Sequence, residues 1–172
     1  MIYSQERENH LIFWEKLEAH CGKAYAGEVV TAPVPEDFQK KDLIIHFKSC
    51  GEGQIRVPFV VGENRSRTWV FTLSDHNIEL KHDHRNKDGS PAEITMYGGT
   101  SPNTGFEQMQ YFPADQQTVD MIPYAAGNVW WVSISDSVFT YNLRRVSSDD
   151  PIRLEFDLTQ EVEAPVSPWG WE

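Results

Sequence analysis

Residues Gln54–His84 read QIRVPFVVGENRSRTWVFTLSDHNIELKHDH, and this stretch decides the fold class. Three runs rich in β-branched and aromatic residues, Gln54–Val61, Thr68–Leu73 and Asn77–His84, are separated by the turn compositions Gly62-Glu63-Asn64 and Ser74-Asp75-His76-Asn77. Connections this short leave no room for the crossover that parallel neighbours need, so the runs read as antiparallel neighbours. In the third run alternate residues share a face, which sets Ile78, Leu80, His82 and His84 against Glu79, Lys81, Asp83 and Arg85. The apolar pair assigns the first set, with both histidines, to the interior.

The same pattern continues outward. Tyr25–Val30 and Leu43–Ser49 precede the stretch, and Glu93–Tyr97, Phe106–Phe112, Val129–Ser135, Val138–Arg144 and Ile152–Leu158 follow it, making ten candidate strands. Gly51-Glu52-Gly53, Lys87-Asp88-Gly89-Ser90, Gly98-Gly99 through Gly105, Asp136-Ser137 and Ser148-Asp149-Asp150-Pro151 read as turns, and Thr31–Lys41 as a proline-bearing loop. Two segments read as helix. From Asn9 to Cys21, Phe13, Trp14, Leu17 and Cys21 recur at helical spacing opposite Glu15, Lys16 and Glu18, and Gly22 supplies a stop. Between Pro113 and Gly127, Asp115 can cap a short helix carrying Val119, Met121 and Ile122 before Pro123 ends it.

Ten short strands exceed what a flat sheet usually holds, and closure removes the exposed edges. The expected architecture is therefore all-β: an antiparallel up-and-down barrel of about eight to ten strands. The N-terminal helix closes one end and a short helix precedes the last strands; a two-sheet sandwich is the alternative. Residues 1–172 read as one such domain, with no linker or internal repeat. The tail Ala164–Glu172 is irregular, but Trp169 and Trp171 are costly to leave in water, so it is expected to lie back on the surface.

With 40% hydrophobic residues and six tryptophans the chain can offset its conformational entropy and fold. A net charge of −11 repels nucleic-acid phosphate and anionic lipid, which leaves small molecules and proteins as partners. No stretch approaches the roughly 20 apolar residues of a membrane helix, so a soluble domain without a membrane span is expected. The polar start lacks the apolar core of a secretory signal, which fits either a cytoplasmic protein or an exported one whose signal has been removed. Cys21 at the helix end and Cys50 at a strand end are either a disulfide from helix to barrel or two buried free thiols.

Three groups of residues carry possible chemistry. His82 and His84, both facing inward, can contact a ligand, ligate a metal or transfer protons; His46 is the other strand histidine available as a third ligand. Arg56, Arg65, Arg67, Lys81, Arg85 and Lys87 gather six of the 15 lysines and arginines, as an anion-binding patch or as a solvated face paired with Glu63, Glu79 and Asp83. Of Arg144 and Arg145, one faces inward unless the strand has ended. Trp69, Phe71, Tyr97, Tyr111, Trp130, Trp131, Phe139 and Tyr141 lie on expected strands, where they line a cavity or fill the barrel. The chain has no nucleophile elbow, phosphate loop, dinucleotide fingerprint, His-Glu-x-x-His or CxxC motif.

A helix followed by Gly22-Lys-Ala-Tyr-Ala-Gly27 and serial antiparallel strands resembles the calycin group, which comprises lipocalins, fatty-acid-binding proteins and their bacterial relatives. In lipocalins a Gly-x-Trp opens the first strand and packs on a late arginine. Here Tyr25 stands roughly in the tryptophan's place, one residue later, and the resemblance implies Arg144 or Arg145 as its partner. Ser66-Arg-Thr-Trp69, Lys81-His-Asp-His-Arg85, Met96-Tyr-Gly-Gly99 and Pro168-Trp-Gly170 also look like a group of bacterial proteins without an assigned function. The resemblance implies small-ligand carriage and no catalytic residue.

Three functions follow as expectations. The first is a barrel that binds a small, partly apolar ligand at its mouth through His82, His84, Arg67, Trp69, Tyr97, Trp131 and Tyr141. The second is an enzyme that uses His82 and His84 on a metal or in proton transfer. The third is an envelope or interaction protein whose barrel is filled. Nothing in the residues identifies a cofactor or an oligomeric state.

Overall fold

Alternation in the chain becomes alternation between inside and outside. In Val129–Ile134, Trp130, Val132 and Ile134 are buried while Val129, Trp131 and Ser133 are half-buried on the other face. The computed structural model describes residues 7–146 and 148–171. In order, these form α1 (Asn9–Glu18), β1 (Ala24–Val29), β2 (Leu43–His46), β3 (Ser49–Gly51), β4 (Gln54–Val61), β5 (Asn64–Leu73), β6 (Ile78–His84) and β7 (Tyr97–Thr100). There follow β8 (Met109–Pro113), α2 (Gln116–Met121), β9 (Val129–Ile134), β10 (Val138–Arg144) and β11 (Ile152–Val162).

Every ladder is antiparallel, in the order β7-β6-β5-β4-β2-β1-β11-β10-β9-β8. Because β2 and β3 both pair with β4, they act as two halves of one interrupted strand, and ten positions surround the axis. The ends of the order approach each other: Gly99 bridges Ala114, and Asp115 N–H donates to the Gly98 carbonyl at 3.0 Å. The barrel is thus nearly closed.

That closure corrects the expectation for Gly98 and Gly99. They lie in β7 rather than in a turn. A Cβ on Gly98 would overlap the Leu80 carbonyl oxygen, and one on Gly99 the Pro113 carbonyl oxygen. Two residues without side chains let β7 press against β6 on one side and the end of β8 on the other.

Two further strands shift. Glu93–Tyr97 is not a strand; β7 begins at Tyr97, because Met96 adopts a positive φ of 57° and Thr95 Oγ1 accepts the His84 N–H at 2.8 Å, where a strand neighbour would otherwise bond. Likewise β8 begins at Met109, since Phe106 and Met109 bond each other across a tight turn and Phe106 is left exposed. The short helix forms as expected, with the Asp115 side chain accepting the Thr118 N–H at 2.8 Å.

α1 stoppers one end of the barrel. It buries Phe13, Trp14 and Leu17, while Asn9 Nδ2 donates to Gly105 O at 2.8 Å and His10 Nε2 donates to Asp75 O at 3.1 Å. The Cys21–Cys50 disulfide, with Cα atoms 6.1 Å apart, ties the segment after α1 to β3. Above α1 the interior is solid with aromatic rings. Phe47 meets Phe139 edge-on at 5.7 Å, and Trp69 stacks on Phe59 at 4.9 Å and on Tyr141 at 4.3 Å with planes 5° apart. Each such ring contributes about 2 kcal/mol of burial, and its offset or edge-on neighbours fix its orientation.

The tail lies back on the outer face of β4, β5 and β6. Trp169 N–H donates to Arg65 O at 3.1 Å, and Trp171 Nε1 donates to Asp83 Oδ2 at 3.1 Å. Among the described residues no helix is long and apolar enough to cross a membrane.

Candidate functional site

The end opposite α1 is hollow. A cavity of about 390 Å³ opens there, walled by inward residues of β5, β6, β9 and β10 and roofed by the Pro35–Phe38 turn, the β6–β7 loop, and Ile122–Ala125. Its floor is the stacked pair Trp69 and Tyr141, beneath which Phe139 and Phe156 fill the interior.

On β6 the period of two delivers His82 and His84 to this cavity. His82 is 3% exposed and both ring nitrogens are engaged: Nδ1 lies 2.9 Å from the Tyr97 carbonyl oxygen and Nε2 2.7 Å from the Tyr141 hydroxyl. A carbonyl only accepts, so Nδ1 carries the hydrogen, Nε2 is the acceptor and Tyr141 donates to it. Burial pushes the His82 pKa down to about 3, and the ring is neutral at physiological pH. His84 Nε2 shares a 3.0 Å hydrogen bond with the Tyr97 hydroxyl. Burial and the Arg67 charge hold the His84 pKa at about 4.

The two phenols remain protonated, because burial raises both pKa values, that of Tyr141 well above the ordinary tyrosine range. A stack of His82 on Tyr97, with centroids 4.7 Å apart, locks the polar wall. Two cations complete the lining. Arg67 Nη2 approaches Asp37 Oδ2 at 3.5 Å and lies over the Phe38 ring; Arg145 joins from the end of β10. The remaining wall is largely apolar: Phe38, Phe59, Ile94, Ile122, Leu143 and Ile152.

Of the residues expected at the mouth, Arg67, Trp69, His82, His84, Tyr97 and Tyr141 all line this cavity, and Trp131 does not. Trp131 faces outward against Tyr111 at 6.2 Å, and its neighbour Trp130 takes the inner position, 5.1 Å from His82. A pair of adjacent tryptophans in a strand must divide this way, and only the register decides which is inside. Phe38, Tyr124, Asn128 and Arg145 come from loops or strand ends, where no periodicity points them inward. Of these only Arg145 carried a sequence signal, as one of two adjacent arginines.

The residues present do not fit a metal at the histidines. Both nitrogens of His82 are committed to protein partners, and His46 shares the outer face of β2 with Ile44. Among the described residues no three His, Cys, Asp or Glu side chains gather.

The basic cluster divides too. Arg56 and Arg85 each lie over the Trp171 ring, at 4.1 and 4.9 Å, Arg65 donates to Ser167 O, and Lys81 pairs with Asp115, whereas Arg67 alone of the six lines the cavity. Nor does Tyr25 meet Arg144 or Arg145 as the lipocalin likeness implied. Its hydroxyl bonds His20 Nδ1 at 2.7 Å at the α1 end, while both arginines sit at the mouth end of β10. A nearly closed antiparallel barrel is compatible with a calycin-like fold. Comparison of the chain with protein-family models, curated proteins and solved structures finds no match.

Proposed function

We propose that this chain is a small-molecule-binding barrel whose ligand, partly apolar, sits in the mouth cavity. One observation carries the reading: an interior packed with aromatic rings toward α1 is hollow at the other end, and there a neutral hydrogen-bonding wall faces apolar side chains. A volume of about 390 Å³ falls in the range of small-molecule sites, and a few oriented polar groups among apolar ones is their usual make-up.

The histidines support recognition better than catalysis. A general base works best with a pKa near the ambient pH and a free nitrogen, whereas His82 has a pKa of about 3 and no free nitrogen. Its role in this reading is to hold the Tyr141 hydroxyl still.

The test is fluorescence titration with the apolar probe N-phenyl-1-naphthylamine, against the wild type and Leu143→Trp, which fills the cavity from its wall. Saturable enhancement with one site in the wild type, lost in a folded Leu143→Trp variant, supports the reading. No saturable binding, or equal binding by both proteins, rejects it.

A further inference from the structure

The mouth cavity carries an electrostatic asymmetry that an apolar ligand alone does not explain. Arg67, with a side chain 19% exposed, has Asp37 as its ion-pair partner, at a marginal 3.5 Å and on a side chain 76% exposed. Arg145 pairs with no carboxylate among the described residues. Two arginines against one aspartate leave a positive charge unmatched within a protein of net charge −11. Arg145 is exposed to solvent, whereas the largely buried Arg67 has only that marginal Asp37 contact against the cost of burying its charge.

Both arginines act on one place. Arg67 and Arg145 line one cavity together with Tyr97 and Tyr141, and each guanidinium charge opposes the burial-driven rise in both phenol pKa values. The wall between them holds no ionised carboxylate: it is made of neutral His82 and His84 and the protonated Tyr97 and Tyr141. The acidic residue of the lining, Asp37, lies beside Arg67 with its side chain 76% exposed.

The depth of the cavity limits what carries the anion. Trp69 and Tyr141 form a floor, and below it Phe139 and Phe156 pack against Trp69 at 6.1 and 6.2 Å. Among the described residues this packing closes the path toward α1 to a long acyl chain, while a short and broad body fits against Phe38, Ile94 and Ile152.

We propose that the cavity selects compact, ring-bearing organic monocarboxylates, with the carboxylate held by Arg67 and Arg145 and the ring on the apolar wall. This rests on the mouth cavity being the binding site. Arginine suits a carboxylate because its planar fork can meet both oxygens, and a monoanion matches the single unmatched charge.

Isothermal titration calorimetry at pH 7 with 2-naphthoate, its uncharged isostere 2-naphthamide, and dodecanoate separates the possibilities. Naphthoate is expected to bind about tenfold or more tightly than naphthamide, the margin of a charge-assisted hydrogen bond. Arg67→Gln and Arg145→Gln are each expected to bring the ratio of naphthoate to naphthamide affinity most of the way to one, and dodecanoate is expected to bind no tighter than naphthoate. Equal affinities for naphthoate and naphthamide would overturn the carboxylate selection and leave the cavity reading standing. Tighter binding of dodecanoate would overturn the compact shape. Failure of both naphthyl compounds to bind would remove the underlying site.

Discussion

His82 Nε2 accepts the Tyr141 hydroxyl at 2.7 Å, across the barrel interior from β6 to β10. The bond joins residues 59 positions apart and holds a neutral imidazole against a phenol that is itself stacked on Trp69. His82 and Tyr141 are tolerated at this depth because each finds a partner, and these partners fix the wall's donor and acceptor pattern.

Acid should therefore weaken the fold through His82. Its folded pKa of about 3 lies below the ordinary 6.5, so the unfolded chain binds the proton first as pH falls. The stability it contributes is complete above pH 6.5 and declines as pH falls from 6.5 toward 3, by about 1.4 kcal/mol per pH unit. His84 adds in the same direction between 6.5 and about 4. Thermal melts from pH 7 to 4 should show a shallower fall of Tm for His82→Gln than for the wild type; parallel curves would contradict the assignment.

Gly99→Ala should strain the seam of the barrel. The new methyl collides with the Pro113 carbonyl, and neither backbone can yield without parting β7 from β8. A cost of about 2 kcal/mol or more is expected, lowering Tm by roughly 5 °C, with faster hydrogen exchange in β7 and at Ala114. An unchanged Tm would show that the seam is looser than described.

The disulfide should matter to stability and little to the mouth. Cys21 and Cys50, separated by 29 residues, constrain the unfolded chain by about 3 kcal/mol, so Cys21→Ser with Cys50→Ser is expected to lower Tm by roughly 10 °C. Probe affinity in the folded variant should be unchanged, since the bridge lies at the α1 end and the cavity at the other. A tenfold loss of affinity at a temperature where the variant is folded would contradict that separation.

Residues 54–84 made the architecture legible because turn compositions separate strand-like runs there, and on β6 the period of two points His82 and His84 to the cavity. Where local chemistry competes with pattern, the sequence misled. Gly98-Gly99 has the composition of a turn but serves a close strand approach, and Glu93–Met96 has strand-like residues whose backbone follows the Thr95 side chain and the positive φ at Met96. Trp131 for Trp130 was a one-residue ambiguity of face. The lining from Phe38, Tyr124 and Asn128 was illegible, because loops have no period and only the folded barrel brings their ends together.

The hollow end of the barrel is proposed to bind a small molecule. The most direct test is two-dimensional NMR of isotope-labelled protein titrated with N-phenyl-1-naphthylamine. Saturable shifts are expected at Trp69, His82, Tyr97, Trp130 and Tyr141, with Trp131 and the Trp169–Trp171 tail unmoved. Shifts confined to the outer tryptophans, or none at all, would contradict it.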